Sequence, residues 1–300
     1  VNYRHAFHAG SFADVFKHAV LCRILYYLRG KPGAFRVIDT HAGAGLYDLT
    51  GAEAGRGGEW HDGIERLMAA NLPEPVAALL APYLQVIGAL NERGRLSVYP
   101  GSPAIARAWL RPQDRLIACE IEPKAAASLG RHLRGDNRIK TLAVDGWTAL
   151  SAYVPPERRG LVLVDPPFEE EADFHRLSHG LATAHRKWAT GTYALWYPIK
   201  GRSQPDALAK RLCRLGIGKI LRAELSVAPP SDPTRLNGVA SFWSTRLGPC
   251  AANFWPYCLP WRRSWAASAR AVLRSIGLLG RAEHRSPDVA TSFHRNLVGV

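Results

Sequence analysis

Along the first 240 residues, short runs of apolar and β-branched residues alternate with longer stretches whose apolar positions fall at helical spacing. The run FRVID, Phe35 to Asp39, ends in a carboxylate and passes directly into the glycine turn THAGAG. Runs of the same kind lie at Leu116 to Cys119, Thr141 to Val144, Leu161 to Val164, Tyr193 to Trp196 and Ile220 to Val227. Runs this short and continuous suit strands buried on both faces, and their alternation with helices predicts βαβ units in an α/β, doubly wound, mostly parallel sheet. Ligands of such sheets sit at the carboxyl ends of the strands, so motifs that follow strands matter most. No strand is evident from Leu46 to Pro100; the Ala, Leu, Glu and Arg content there predicts a helical insertion over about 47–100 and not a separate domain.

Composition narrows the class. Apolar residues make up 47% of the 300 and charged residues 21%, a globular balance that excludes disorder. The first ten residues carry charge and histidine, and Arg23 interrupts the apolar run that follows, so neither a signal peptide nor a membrane span is expected. Cys22, Cys119, Cys213, Cys250 and Cys258 are scattered with no C-x-x-C pair, which points to reduced thiols in the cytoplasm and to no metal site. A net charge of +14 favours a polyanionic partner, nucleic acid above all.

The chemistry is concentrated in LVLVDPPF, Leu161 to Phe168, a buried-strand run that opens into Asp165, Pro166, Pro167 and Phe168. The lone pair of an aromatic exocyclic amine is delocalised into its ring, and hydrogen-bond acceptors must orient it before it can attack a methyl group. Asp165 supplies a carboxylate. The Pro166 carbonyl supplies a second acceptor, because prolines have no N–H to draw the turn into a ladder. A residue before proline is held extended, which fixes where both acceptors point. Phe168 adds a flat face for a base that must be single-stranded or flipped out of its helix.

The loop DTHAGAG, Asp39 to Gly45, allows close backbone approach to a ligand at Gly43. A dinucleotide fingerprint requires a third glycine where Asp48 stands, which disfavours a nicotinamide or flavin. Glu120 ends the second strand run, where a carboxylate can accept both hydroxyls of a ribose, and Asp145 with Gly146 follows the third, where it can meet an adenine edge. On their own, His5, His8, His18 and His41 read as loop or cap histidines. The string Leu195 to Pro198 and the pair Tyr26 and Tyr27 read as core.

With these strings in place, the sequence resembles the family J large-subunit ribosomal RNA adenine-N6 methyltransferases over about residues 1–240. The resemblance is carried by YRHAFHAGSFADVFKH, IDTHAGAGLYDL, YPGSP, CEIEP, VDGW, LVLVDPPFE and TGTYALWYP. It implies a Rossmann-like class I S-adenosylmethionine methyltransferase fold with a small helical insertion. It also implies methylation of one adenine of 23S ribosomal RNA, free or in a precursor particle; a cytoplasmic monomer is expected apart from the resemblance. By the same resemblance, Lys17, His18, His41, Gly43, Ser102, Glu120, Asp145, Gly146 and Asp165 line the S-adenosylmethionine site. Asp165, with Pro166 and Phe168, forms the catalytic motif, and Tyr3 meets the RNA. The family usually has Tyr at the position of Phe168; stacking survives that change and a phenol hydrogen bond does not. The same motif also serves methyltransferases of DNA adenine and of protein amides, and an RNA-binding protein that has lost catalysis is the reading from another class.

Beyond Ala240 the character changes. Residues 241–300 hold eight arginines and no lysine, two acidic residues and four of the nine tryptophans, and they account for +6 of the net charge. The family's last strand reads like LLVVNPPW and is followed by an amphipathic helix. Read with G/C-biased synonymous codons from the third base of the Ala240 codon, this tail can give LLLVNPPWTLRGELLAILPALAALL. The tail is therefore expected to be the product of a shifted reading frame, poorly packed and lacking a strand that belongs inside the sheet.

Overall fold

The computed structural model describes residues 4–244, apart from 92–93, 155–157, 219 and 229–235, together with strand 272–279. A 3-10 turn at His5–Phe7 leads to helix α1, Phe12–Arg29, which starts at the Ser11 hydroxyl. Strand β1, Arg36–Asp39, follows, and the insertion comes next: β2 Leu46–Asp48, α2 Ala52–Gly57, α3 Arg66–Ala69, α4 Glu74–Leu90 and β3 Val98–Pro100. Then come α5 Ser102–Trp109, β4 Arg115–Cys119, α6 Pro123–His132, β5 Ile139–Leu142, α7 Gly146–Ala152 and β6 Gly160–Val164. The chain continues through α8 Asp173–Lys187, β7 Thr192–Ile199, α9 Ser203–Arg214, β8 Ile220–Ser226, β9 Gly238–Ser244 and β10 Val272–Leu279.

The main sheet has the order β10-β8-β9-β7-β6-β1-β4-β5. Strand β1 pairs in parallel with both β4 and β6, so the strand order reverses there and a crevice opens above it. Antiparallel β9 lies between β8 and β7. This is the expected class I methyltransferase-like α/β arrangement. Alternation along β1 feeds two cores: Val37 packs with α1, α4 and α5 on one face, and Ile38 packs with α7, α8 and α9 on the other. Each such side chain is about 1% exposed, and its burial contributes roughly 1.5–3 kcal/mol.

Two expectations change. The insertion does contain strands, because β2 and β3 pair antiparallel through Leu46↔Pro100, Tyr47↔Tyr99 and Asp48↔Val98. They are three residues long and separated by half a hundred positions, too short and too far apart to show a period. At the other end, the strand expected to be missing is present on the described residues, with Ser241 to Ser244 buried in β9. Four residues past Ala240 remain apolar or small enough to extend the ladder begun at Gly238.

The insertion grips the residues before α1. The Ile64 amide donates to the Gly10 carbonyl at 2.9 Å, and Gly57 and Gly63 lie so close to the Phe7 and Gly10 carbonyls that no side chain fits at either position. Among the described residues no helix is long and apolar enough to cross a membrane.

Candidate active site

Because β1 and β6 are parallel neighbours with Asp39 beside Leu163, the loops that leave them emerge side by side. The Thr40 amide donates to the Leu163 carbonyl at 3.0 Å, which locks the glycine turn to the DPPF turn. Both turns open into one cavity of about 1790 Å³ that Gly43, Ser102, Glu120 and Asp165 to Phe168 all line.

On the DPPF side, Asp165 Oδ2 accepts from Lys17 Nζ at 2.5 Å. Lys17 is a turn and a half into α1, and its ammonium also meets Asp14 Oδ1 at 3.0 Å. Asp14 Oδ2 in turn accepts from the Gly10 amide at 3.0 Å and faces His5 Nε2 at 2.9 Å. Burial alone would raise the Asp14 pKa, but the charges of His5 and Lys17 override it and hold the carboxyl well below its ordinary range. The result is a buried line from His5 through Asp14 and Lys17 to Asp165. The Pro166 carbonyl accepts no hydrogen bond among the described residues. Phe168 is held at φ +53°, a left-handed conformation that is uncommon outside glycine, and its ring packs against Phe174 at 5.0 Å.

On the glycine side, Glu120 Oε2 accepts from the Gly43 amide and Oε1 from the Glu122 amide, both at 2.8 Å. Each oxygen keeps a second lone pair for a ligand. Asp145 caps α7 by accepting from the Thr148 amide at 2.8 Å. Gly146 presses against the Thr40 carbonyl and the His41 ring, with no room for a Cβ. The Thr40 hydroxyl donates to the Leu163 carbonyl at 2.9 Å, so it must accept from His41 Nδ1 at 2.8 Å. His41 is thereby fixed as the Nδ1–H tautomer, with Nε2 an acceptor; burial lowers its pKa to about 4, against the pull of Asp165 and Asp145. His18 is also neutral, pushed down to about 3 by burial, and its Nδ1 meets the Tyr99 hydroxyl at 2.8 Å.

All the sequence-predicted site residues in the described region therefore sit around one crevice, and Tyr3 lies outside the described residues. Several residues that share the crevice carry no mark in the sequence. His5 and Asp14 act through folded contacts, although Asp14 and Lys17 stand three apart on one helix face, a spacing that signals an ion pair. Ile121 is 54% exposed next to Glu120, and Trp147 packs edge-on to His41 across the same opening. The buried carboxylate of Asp39 makes no hydrogen bond within the described residues. Burial raises its pKa to about 7, with the Asp165 charge adding to the rise and Ser102 and the His41 backbone near enough to temper it. Of the aromatic strings read as core, Trp196 and Tyr197 are buried but also line the cavity, whereas Tyr26 is 51% exposed because it sits on the outer face of α1.

Comparison with known proteins agrees with this geometry. The family described as Ribosomal RNA large subunit methyltransferase D, RlmJ, matches residues 32–243. Ribosomal RNA large subunit methyltransferase J of Escherichia coli K12 is 42% identical over 233 residues, covering 77% of this chain and 82% of the relative. The protein of that name from Haemophilus influenzae is 41% identical over 235 residues, with the same coverage. Among solved structures, protein LPL1258 of Legionella pneumophila superposes with a TM-score of 0.77 at 30% identity, covering 89% of this chain and 98% of its own.

Proposed function

The chain belongs to the RlmJ family of ribosomal RNA large-subunit methyltransferases, and from that premise we propose that it methylates the N6 amino group of an adenine in 23S ribosomal RNA, with S-adenosylmethionine as donor. The observation that carries this reading is the shared crevice: two acceptors at the exit of β6, Asp165 and the Pro166 carbonyl, face the cavity that the glycine turn of β1 also lines.

The crevice residues, with the buried Asp39 that precedes Thr40 and His41, fit the donor. Asp39 is a buried carboxylate with no hydrogen bond within the described residues, suited to an ammonium group, and Ser102 stands beside it. Glu120 offers lone pairs to ribose hydroxyls and Asp145 an acceptor to the adenine edge, with Ile121 and Trp147 flanking as apolar walls. When bound, the donor supplies a methyl group made electrophilic by a sulfonium centre. Lys17, His18, His41, Gly43 and Gly146 shape the rest of the pocket. Because Asp39 must ionise to pair with an ammonium, donor binding below about pH 7 is expected to release a proton, and affinity to rise with pH until about 7 and then level off. Calorimetry at pH 6 in two buffers of different ionisation enthalpy measures that proton. Identical heats in both would remove Asp39 from the ammonium site.

The reacting amine is handled by this chain's own groups. Lys17 occupies Asp165 Oδ2, which leaves Oδ1 for one N–H of the amine, while the Pro166 carbonyl accepts the other. Held this way, the nitrogen lone pair is drawn out of ring conjugation, and Asp165 is placed to take the proton the amine sheds. Phe168 stacks on the extruded base, its ring supported from behind by Phe174. An RNA substrate, free or in a precursor particle, supports a cytoplasmic site of action. The test is labelled methyl transfer to unmodified 23S RNA with nucleoside analysis for N6-methyladenosine. DNA or a protein amide as the better substrate, or RNA binding without transfer, would overturn the reading.

The methyltransferase unit is residues 1–240, and the tail is assigned to a shifted frame. Supporting this, the family match stops at residue 243, and Ser241 Oγ and Trp243 Nε1 are buried in β9 without hydrogen-bond partners within the described residues. Such groups cost about 1–3 kcal/mol each, whereas the shifted reading places leucines there. Sequencing the gene across codons 235–250 is expected to show the shift; an uninterrupted frame shared with relatives would end the idea.

A further inference from the structure

The charges of this molecule are sorted by end. Around the catalytic cavity, carboxylates outnumber Lys and Arg by eight to five. At the opposite end, where the parallel strands begin, the exposed charges among the described residues include Arg29, Lys31, Arg115, Arg134, Arg158 and Arg186. Folding gathers them from distant sequence. Arg36 of β1 lies beside Arg115 of β4 and Gly160 of β6. The Arg111 and Arg159 guanidiniums both donate to the Gly33 carbonyl, at 3.0 and 2.6 Å, tying together the loops before those three strands.

Among the described residues, the carboxylates at this end are already engaged. Asp114 is buried against Arg111 at 2.8 Å, and Asp136 is paired with Arg138 at 2.6 Å and with Arg107 at 3.2 Å. The sequence adds one more acid here, Glu157, which lies outside the described residues. Arg159 is pushed below the ordinary guanidinium range by burial first and then by the Arg111 charge beside it. Basic residues in last helical turns, such as Arg29 and Arg186, complement helix dipoles. Lys31, Arg115 and Arg158 lie outside helices, so that account does not cover them.

We propose that this arginine-rich end is a second RNA-docking face, which holds phosphates of large-subunit RNA remote from the adenine at the catalytic mouth. The proposal rests on the functional reading above. Phosphate backbone is the matching occupant, since neutralised phosphates release counterions and a mouth rimmed by carboxylates attracts RNA poorly. From Gly160 to Asp165 the strand alone spans about 17 Å at 3.3 Å per residue, so the two ends meet different segments of a folded RNA.

The test uses the full chain with Lys31→Gln, Arg134→Gln and Arg158→Gln combined, none of which touches the catalytic cavity. With full-length unmodified 23S transcript, the variant is expected to raise KM by about tenfold or more at unchanged kcat. The slope of log Kd against log salt should fall by about two to three, near 0.9 for each phosphate that is no longer neutralised. With the shortest transcript fragment that still accepts methyl, wild type and variant should match. An unchanged KM and salt slope on the full transcript overturns the proposal. So does wild-type binding to phosphatidylglycerol vesicles that the variant loses while its RNA affinity stays the same, which would make the face a membrane-binding surface. If wild type transfers no methyl to 23S RNA, the functional reading fails, while the salt slope still reports on the face.

Discussion

Asp165→Asn is expected to lower the rate of methyl transfer by at least about a hundredfold, within the 10²–10⁴ range of a positioned proton acceptor. The substitution keeps size and shape, and it removes the charge that faces Lys17 at 2.5 Å and the basic oxygen left for the amine. An amide can still accept one hydrogen bond, but it cannot take up the proton shed as the nitrogen is methylated. Donor affinity should change by less than about tenfold, because Glu120 and Asp145 approach the crevice from other strands. Single-turnover transfer of labelled methyl gives the rate, and equilibrium dialysis gives the donor affinity. A variant that keeps a tenth of the wild-type rate would falsify the assignment of Asp165.

Asp14→Asn is expected to cost about 3–5 kcal/mol of stability, the usual result of removing one partner from a buried ion pair. Asp14 is almost wholly buried and binds His5, the Gly10 amide and Lys17, so its removal leaves the Lys17 ammonium beside one carboxylate in place of two. The sign of the pH dependence follows from its depressed pKa. Its contribution is fully present above the unfolded-state value near 4 and disappears as pH falls through the lower folded value. Urea titrations of wild type and variant should therefore differ most at neutral pH and converge in acid. Methyl transfer should drop as well, through misplaced Lys17, and Asp14→Glu should recover part of it. Equal stabilities at pH 7 would rule out the buried line as a structural element.

Much of the sheet was legible because β4, β6, β7 and β8 each hold four or more consecutive buried residues. Asp165, Glu120 and Asp145 were legible for the same reason: strand ends are where such sheets hold ligands. The β2–β3 ladder was hidden because a three-residue strand has no period of its own and its partner is remote. The line from His5 to Asp165 was hidden because Lys17 and Asp165 are 148 positions apart and only the fold joins them. Asp39 reads in the sequence as the end of a strand; its lack of a hydrogen bond within the described residues becomes visible only when the surrounding polar atoms are placed.

The Gly101 amide donates to the Gly45 carbonyl at 2.9 Å, so the excursion that leaves after Gly45 comes home beside its own point of departure. A detour with adjoining entrance and exit behaves like a cassette: residues 67–90, which do not line the cavity, can take up changes of length with less effect on it than Tyr47, Asp48 and Glu53, which do. Anchors that limit such change are the Ile64 amide on the Gly10 carbonyl and Tyr99, fully buried on the returning strand and bonded to His18.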